Sequence, residues 1–246
     1  MLKDKVAIIT GGSRGIGFET AREFLRNGAK VVIFGHQEDT TASALDSLKK
    51  EFKRSKILAF NPNLASEKEI SNVFEEVYKT FGKIDILINN AGVSSSTPLE
   101  KYTEEEMENI INVNIKGVFL CSKVGIKYLK ETKGCIINTS SMVSIYGQRS
   151  GCLYPMTKFA VNGLTKSLAR ELAPFGVRVN AIAPGITATD MVKNLPEQMI
   201  KPLIAQIPLG RMGTPLDMAN AFVFLASDKS SYITGEIMQV DGCMIS

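Results

Sequence analysis

The chain has 246 residues, and 44% of them are hydrophobic, which is enough for a sizeable core in one α/β domain over residues 1–246. The 29 basic and 25 acidic residues give a net charge of +4; no basic run is interleaved with aromatic residues, so no nucleic-acid-binding surface is expected. No stretch approaches the ~18 apolar residues of a membrane span, and no signal-peptide pattern is present. Four scattered cysteines predict neither a metal centre nor a disulfide scaffold, which favours a reduced, cytoplasmic location.

Short apolar runs alternate with helical stretches along the whole chain. This alternation predicts an α/β fold, a doubly wound sheet of seven parallel strands with helices on both faces. The predicted strands are Val6–Thr10, Val31–Phe34, Ile57–Phe60, Ile84–Asn89, Cys135–Thr139, Val177–Ile182 and Met238–Val240.

Two helix starts carry capping signals. Ser66 is followed three residues later by Glu69, which predicts a capping box. Thr103 and Glu106 repeat the signal at the start of a long helix that is predicted to reach about Lys130.

Several polar or glycine-rich segments directly follow predicted strands. Because the carboxyl ends of parallel strands open on one edge of the sheet, these segments are predicted to converge on one crevice. They are Gly11–Gly17, Asn90–Gly92, Ser140–Ser141 and Pro184–Gly185. The irregular stretch over about 185–214 is predicted to be a substrate lid with a short helix at Pro196–Gln206.

The segment after the first strand reads T-G-G-S-R-G-I-G. Where a strand turns into a helix, glycines let a pyrophosphate approach the backbone N–H groups of the helix N-terminus. The predicted cofactor contacts of this turn are Gly11, Ser13, Arg14, Gly15, Ile16 and Gly17.

Three further features complete a pattern with this turn: Asn89-Asn90-Ala91-Gly92, Ser141, and a Tyr154–Lys158 pair spaced four residues apart. Tyr154 alone among the six tyrosines has a Lys or Arg four residues later. From about residue 5 to Gly242, the chain resembles the short-chain dehydrogenase/reductase family. The resemblance implies a Rossmann-type fold, an NAD(P)(H) cofactor and interconversion of a secondary alcohol with a ketone.

The same resemblance implies four catalytic roles. Tyr154 would be the general acid/base, with its phenol ionised more readily beside a lysine cation and the positive nicotinamide ring. Lys158 would also hold the nicotinamide ribose, and Ser141 would orient the substrate oxygen. Asn114 matches the asparagine that anchors a proton-relaying water. Spacing to Tyr154 disfavours the neighbouring Ser140 for the serine role.

The remaining cofactor contacts are implied position by position. Asn63 and Leu64 match the segment on the adenine edge, and Asn90, Ala91 and Gly92 match the segment that lines the adenosine ribose. Pro184, Gly185, Ile186 and Thr189 match the segment that holds the carboxamide, with Thr189 chosen for the side-chain contact.

The choice between the two dinucleotides is predicted from charge. An acid at the end of the second strand would bind the ribose hydroxyls of NAD, whereas a cation accepts the 2′-phosphate of NADP. Neither Gly35 nor His36 is acidic, and Arg14 precedes the second motif glycine, so NADP(H) is favoured over NAD(H). Glu38 and Asp39 weaken this preference, and His36 is either a phosphate contact or an ordinary surface histidine.

Two substrate classes remain open, and both suit an apolar pocket. Segments near the C-terminus, such as Gly210–Gly213, resemble bacterial 3-oxoacyl-(acyl-carrier-protein) reductases, whose acidic carrier protein could meet the lysines at 127, 130 and 133. Phe175 departs from those reductases, which commonly carry a basic residue there. Ile33–Gly35 and Tyr154-Pro155 resemble bile-acid hydroxysteroid dehydrogenases. Acyl reduction is placed slightly ahead of steroid oxidation, because acyl reductases are the commoner of the two classes.

Two further expectations follow from the resemblance. A non-catalytic NAD(P)-binding regulator on the same fold is a remote alternative, because such proteins usually lack part of the tetrad that is complete here. Family members commonly form homotetramers through two long helices, which correspond here to about Thr103–Lys130 and Cys152–Pro174.

Overall fold

The computed structural model describes residues 1–189, 202 and 204–244. Seven parallel strands form one sheet in the order β3-β2-β1-β4-β5-β6-β7, which confirms the predicted doubly wound α/β fold. The strands are β1 (Val6–Thr10), β2 (Lys30–Phe34), β3 (Ile57–Phe60), β4 (Ile86–Asn89), β5 (Cys135–Thr139), β6 (Arg178–Pro184) and β7 (Ile237–Val240). Each predicted strand begins and ends within two residues of an observed one.

Helices connect the strands and cover the sheet. They are α1 (Gly15–Arg26), α2 (Glu38–Glu51), α3 (Glu67–Phe81), α4 (Glu104–Ile111), α5 (Val118–Thr132), α6 (Val143–Tyr146), α7 (Leu153–Leu172) and α8 (Pro215–Ala226). None of the helices in the described part of the chain is long and apolar enough to cross a membrane. Residues 190–201 and 203 of the predicted lid, which include most of the helix expected at Pro196–Gln206, lie outside the described residues.

The two faces of the sheet pack against different helices. On one face α1, α2 and α8 enclose a cluster that includes Phe24 and Phe222. On the other face α3, α5 and α7 enclose a cluster that includes Phe74 and Leu168. Alternate residues of β1 belong to the two clusters, as expected for a parallel strand that is buried on both faces.

The predicted capping box at Ser66 is only half formed. The Ser66 side chain accepts the Glu69 backbone N–H at 3.4 Å. The Glu69 carboxylate, however, accepts the backbone N–H of Asn63 at 2.9 Å. The capping box predicts that Glu69 binds the backbone N–H of Ser66. Its carboxylate instead binds the N–H of a residue three positions earlier, in the segment that leads into the helix.

The long helix predicted from Thr103 is interrupted by one wide turn. Helical structure runs from Glu104 to Thr132, but the segment Asn112–Gly117 between α4 and α5 is π-helical. Such wide turns occur frequently at functional sites. The segment contains Asn114, which is fully buried beneath the crevice described next.

Candidate active site

Two glycines of the turn after β1 have no room for a side chain. Gly11 has a φ of +65°, and a Cβ there would lie 2.9 Å from the Ala91 Cα. A Cβ on Gly17 would overlap the Gly11 carbonyl oxygen and lie 2.5 Å from the Asn90 amide nitrogen. The turn therefore packs directly on the segment after β4, and a larger residue would open this contact.

Asn90 binds the turn itself. Its Nδ2 donates to the carbonyl oxygens of Thr10 at 3.1 Å and Gly11 at 3.2 Å. The Thr10 Oγ1 accepts the backbone N–H groups of Asn90 and Ala91 at 2.9 and 3.0 Å. The Asn90 amide nitrogen thus ties β4 to β1, and its predicted place at the adenosine ribose stays a prediction.

The segment after β6 approaches the same turn. The Thr189 Cγ2 lies 3.6 Å from where a Gly15 Cβ would stand. Pro184 ends β6 and is buried, whereas Gly185 and Ile186 are half-buried. The predicted carboxamide segment thus begins at the edge of the sheet where the glycine turn begins α1.

The residues predicted to select the dinucleotide are accessible. Arg14 and His36 are both exposed, at the start of α1 and directly before α2. A Cβ on Gly35 would overlap the Thr41 hydroxyl oxygen, so no acidic side chain fits at position 35 without moving α2. The absence of an acid at position 35 therefore has a steric reason.

Asn63 and Leu64 follow β3 as predicted. Asn63 is exposed, and its Oδ1 accepts the Ala65 N–H at 2.9 Å. Leu64 is half-buried, and its Cβ lies 3.0 Å from where a Gly117 Cβ would stand. Leu64 therefore packs on the π-helical segment, which links the β3 end of the crevice to Asn114.

Tyr154 and Lys158 lie on the first turns of α7, facing the end of β5. The Ser141 hydroxyl lies close enough to the Tyr154 hydroxyl to lower the pKa of its phenol. The Lys158 Nζ lies 5.7 Å from the centroid of the Tyr154 ring and donates to the Thr139 carbonyl oxygen at 2.8 Å. The structure thus brings together three of the four residues predicted to be catalytic.

Burial shifts the pKa values of Lys158 and Tyr154 toward the neutral form of each side chain. Lys158 is 3% exposed, and desolvation lowers the pKa of its ammonium from 10.5 to about 8. Burial raises the pKa of the Tyr154 phenol, and the nearby Ser141 hydroxyl opposes this only in part. The expectation that Lys158 and the positive nicotinamide ring ease ionisation of this phenol concerns the cofactor-bound protein and stays a prediction.

Asn114 anchors the loop that follows β4. Its Oδ1 accepts the Val93 N–H at 2.9 Å, and its Nδ2 donates to the Val93 carbonyl oxygen at 2.8 Å and to the Thr157 Oγ1 at 3.0 Å. A Cβ on Gly92 would lie 3.4 Å from the Lys158 Nζ and 3.5 Å from the Asn114 Oδ1. Gly92 therefore keeps open the space between these two groups.

Three threonines that the sequence interpretation gave no role hold this arrangement together. Thr10 links β1 to β4, the Thr139 carbonyl holds Lys158, and Thr157 links Asn114 to the Tyr154 backbone carbonyl at 2.7 Å. Thr10 and Thr139 are each the last residue of a strand. This position at a strand end could have identified both residues from the sequence, because strand ends border the crevice.

A nicotinamide dinucleotide fits this crevice. The glycine turn offers backbone N–H groups at a helix N-terminus, where a phosphate binds well. The Lys158 ammonium is buried yet makes only one hydrogen bond within the described part of the chain, to Thr139. Its remaining N–H groups suit the hydroxyls of a ribose. Within the described residues no group of His, Cys, Asp and Glu side chains could hold a metal ion.

Comparisons with known proteins agree with this geometry. A family model described as enoyl-(acyl carrier protein) reductase matches residues 11–244. The chain is 56% identical over 243 residues to a 3α-hydroxysteroid dehydrogenase from Mediterraneibacter gnavus, covering 98% of this chain and 97% of the relative. It is 40% identical to the 3-oxoacyl-(acyl-carrier-protein) reductase FabG of Thermotoga maritima, covering 99% of each.

A solved structure has the same fold over its whole length. The crystal structure of 3-ketoacyl-(acyl-carrier-protein) reductase from Brucella melitensis complexed with NADH has a TM-score of 0.92 and 33% identity, and the match covers 99% of each chain. The described crevice and these relatives agree on a nicotinamide-dependent oxidoreductase.

Proposed function

Because the chain belongs to the short-chain dehydrogenase/reductase family, we propose that it is a hydroxysteroid dehydrogenase that interconverts the 3α-hydroxyl and the 3-ketone of a bile acid. The observation that carries this proposal is the 56% identity to a 3α-hydroxysteroid dehydrogenase over 98% of the chain. The acyl-carrier-protein reductases are less similar, at about 40%. The sequence interpretation had put acyl reduction slightly ahead, and the comparison favours its alternative.

The lysines suggested for a carrier protein do not border this chain's own crevice. Lys130 and Lys133 lie at the C-terminal end of α5, directly before β5 begins, whereas the crevice lies where β5 ends. Lys130 is also held 3.5 Å over the ring of Phe175, where the acyl reductases commonly carry a basic residue.

Each site side chain has a role in alcohol oxidation and ketone reduction. The chemistry that a bound nicotinamide supplies is transfer of a hydride to or from the carbinol carbon. The Tyr154 hydroxyl protonates the carbonyl oxygen in reduction and accepts the hydroxyl proton in oxidation. The Ser141 hydroxyl donates to the same substrate oxygen and holds it beside Tyr154.

Lys158 and Asn114 support that proton transfer. The Lys158 ammonium holds the ribose and favours the ionised form of the Tyr154 phenol when it is charged. Asn114 makes two hydrogen bonds to the Val93 backbone, and so holds the loop after β4 beside Lys158. Its role in anchoring a proton-relaying water stays a prediction.

The remaining cofactor contacts are proposed from the same crevice. The glycine turn holds the pyrophosphate, Ala91 and Gly92 face the ribose, and Asn63 and Leu64 border the adenine. NADP(H) is favoured over NAD(H) because β2 ends without an acid, and because Arg14 and His36 are exposed where a 2′-phosphate would lie.

A homotetramer is also proposed. Large apolar side chains are exposed along the helix pair α4–α5 and along α7, including Phe119 at 52%, Met156 at 50% and Phe159 at 49%. Apolar faces of this kind mark association surfaces. Sedimentation velocity of the purified protein tests the assembly.

The substrate is tested by nicotinamide absorbance at 340 nm with a matched pair of steroids. A 3α-hydroxy bile acid is offered with NADP⁺ or NAD⁺, its 3β-epimer serves as the stereochemical control, and Tyr154→Phe serves as the blank. We expect oxidation of the 3α-epimer alone, with loss of the signal in the variant. Oxidation of neither epimer would contradict the proposal.

Reduction of a 3-oxoacyl thioester is the second candidate, favoured by the relatives near 40% identity and by the solved structure. Acetoacetyl thioester with NADPH, run beside the steroids, separates the two. Thioester turnover without steroid turnover would make the chain an acyl reductase.

A further inference from the structure

A closed group of polar side chains lies directly behind the Ser141 loop. Its members are Ser140, Ser144 and Asn162, and both serines are 2% exposed. None of them has a role in the proton transfer above. Ser140 entered the sequence interpretation only as a rejected alternative to Ser141.

The side chain of Asn162 joins the two serines through hydrogen bonds. The Ser140 hydroxyl donates to the Asn162 Oδ1 at 2.6 Å, and the Asn162 Nδ2 donates to the Ser144 Oγ at 2.8 Å. The Ser144 hydroxyl donates in turn to the Ser141 backbone carbonyl at 2.6 Å. The Ser140 and Ser144 hydroxyl oxygens also lie 2.8 Å apart, so Ser144 can donate to Ser140 as an alternative. In both arrangements Asn162 accepts the single Ser140 proton and donates to Ser144, and so links the two serines to α7.

Asn162 shares a helix face with the catalytic pair. Tyr154, Lys158 and Asn162 follow one another at intervals of four residues along α7. Since successive residues turn by ~100°, the three form one row that rotates by only ~80° over its length. The row faces β5 and the loop that carries Ser141. Asn162 is therefore the point at which the helix of Tyr154 is tied to the loop of Ser141.

We propose that Asn162 is a positioning residue that sets the Ser141 hydroxyl against the Tyr154 hydroxyl. The inference rests on the proposed oxidoreductase function, because both hydroxyls must reach one substrate oxygen. Backbone hydrogen bonds also hold this loop, among them the Ser144 N–H that donates to the Ser141 carbonyl oxygen at 3.0 Å. The Ser141 hydroxyl itself is held less firmly, since its Oγ accepts the Val143 N–H at 3.4 Å. A misplacement of about 1 Å in a catalytic group costs up to about 100-fold in rate.

A double-mutant cycle separates positioning from general structural support. Asn162→Ala is measured in the wild-type background and again in Ser141→Ala, in single turnovers with enzyme in excess so that slow rates stay measurable. We expect Asn162→Ala to lower the rate about ten-fold in the wild type and less than about two-fold in Ser141→Ala. Cofactor affinity, followed by nicotinamide fluorescence, is expected to stay within about two-fold of the wild type. Equal losses in both backgrounds, or a parallel loss of cofactor affinity, would overturn the inference.

Asn180→Ala is the matched control. Asn180 is also a buried asparagine, but it joins β6 to the segment before β7, donating to the Ile233 carbonyl oxygen and accepting the Glu236 N–H. Its loss is expected to lower the melting temperature and to leave the rate unchanged. Ser140→Ala, which removes the hydroxyl that donates to Asn162, replaces Asn162→Ala if the latter does not fold, and the same two outcomes are read from it.

The cycle uses whichever substrate of the steroid and thioester panel the wild-type enzyme converts. Turnover of the thioester alone would therefore overturn the proposed substrate without altering the test of Asn162. With either substrate, a loss of rate from Asn162→Ala that is smaller in the Ser141→Ala background supports the positioning role. An equal loss of rate in both backgrounds overturns it.

Discussion

The two halves of the crevice are built in opposite ways. Around β1 and β2 the chain makes room by omitting side chains, because Cβ atoms at Gly11, Gly17 and Gly35 would meet neighbouring atoms. Around β4, β5 and α7 the crevice is filled with buried polar side chains, such as Asn114 and Lys158. We call these the cofactor half and the catalytic half.

The difference has an energetic meaning. A turn of backbone N–H groups binds an anion without burying a charge of its own. A buried ammonium is costly until a ligand and its hydrogen bonds compensate for lost solvation. In the free protein the catalytic half is therefore destabilised by its buried ammonium, whereas the cofactor half is not. Substitutions in the two halves should accordingly have different effects on stability.

The largest expected effect is that of Tyr154→Phe in the catalytic half. Removing the hydroxyl abolishes the proton transfer, and kcat should fall by about 10²–10⁴-fold while cofactor affinity is retained. Nicotinamide absorbance measures the rate. Tyr232→Phe removes the same hydroxyl from a fully exposed tyrosine and should leave kcat unchanged. Retention of more than a tenth of the activity in Tyr154→Phe would show that another group moves the proton.

The second prediction concerns the destabilisation of the folded protein by the buried Lys158 ammonium. Its folded-state pKa of about 8 lies below the unfolded value of 10.5, so the unfolded chain binds more protons between these values and stability rises with pH across that window. Lys158→Met removes the buried charge and should raise the free energy of unfolding at pH 7 by up to about 3 kcal/mol, less ~1 kcal/mol for the hydrogen bond to Thr139. This advantage should shrink as the pH approaches 10.5.

Urea denaturation of the cofactor-free protein at three pH values between 7 and 10.5 checks this dependence. Lys166→Met is the matched control, because Lys166 lies on the same helix but is exposed. An advantage of Lys158→Met that does not change with pH would show that the ammonium is solvated in the free protein.

The two halves also differ in how far the sequence predicts them. The cofactor half follows from local pattern: the strand, the glycines and the helix start are consecutive, and the absence of an acid at Gly35 is visible in the chain. The fold follows from the same alternation of apolar runs and helices. What the sequence missed are contacts between distant residues, such as Asn90 to Thr10, Asn114 to Thr157, and Asn162 to Ser140.

These misses have a physical cause. The direction of an asparagine amide depends on which carbonyl or hydroxyl groups the tertiary structure brings near it, and spacing along the chain does not contain that information. The π-helical turn at Asn112–Gly117 was missed for the same reason, since it carries no capping or periodicity signal.

The third prediction tests the cofactor half through its sterics. Gly17→Ala places a methyl group on the Gly11 carbonyl oxygen, and overpacking against backbone should cost about 1–3 kcal/mol in stability and weaken cofactor binding. Gly163→Ala is the matched control, because it lies inside a helix where nothing stands within 4 Å of the added methyl. There the higher helix propensity of alanine should leave the melting temperature equal or higher. Equal melting temperatures for both variants would contradict the close packing of the turn.

The smallest expected effect concerns the choice of dinucleotide. Arg14 is exposed, so it contributes through a solvent-screened contact with the 2′-phosphate rather than through a buried pair. Arg14→Ala should lower the ratio of kcat/KM for NADP⁺ over NAD⁺ by about ten-fold at low salt, mostly through KM for NADP⁺. Arg54→Ala makes the same charge change just before β3 begins, at the opposite edge of the sheet, and should leave the ratio unchanged. Because the contact is screened, the effect of Arg14→Ala should shrink as salt is raised. A wild-type enzyme that prefers NAD⁺ would instead assign the choice to Glu38 or Asp39 at the start of α2.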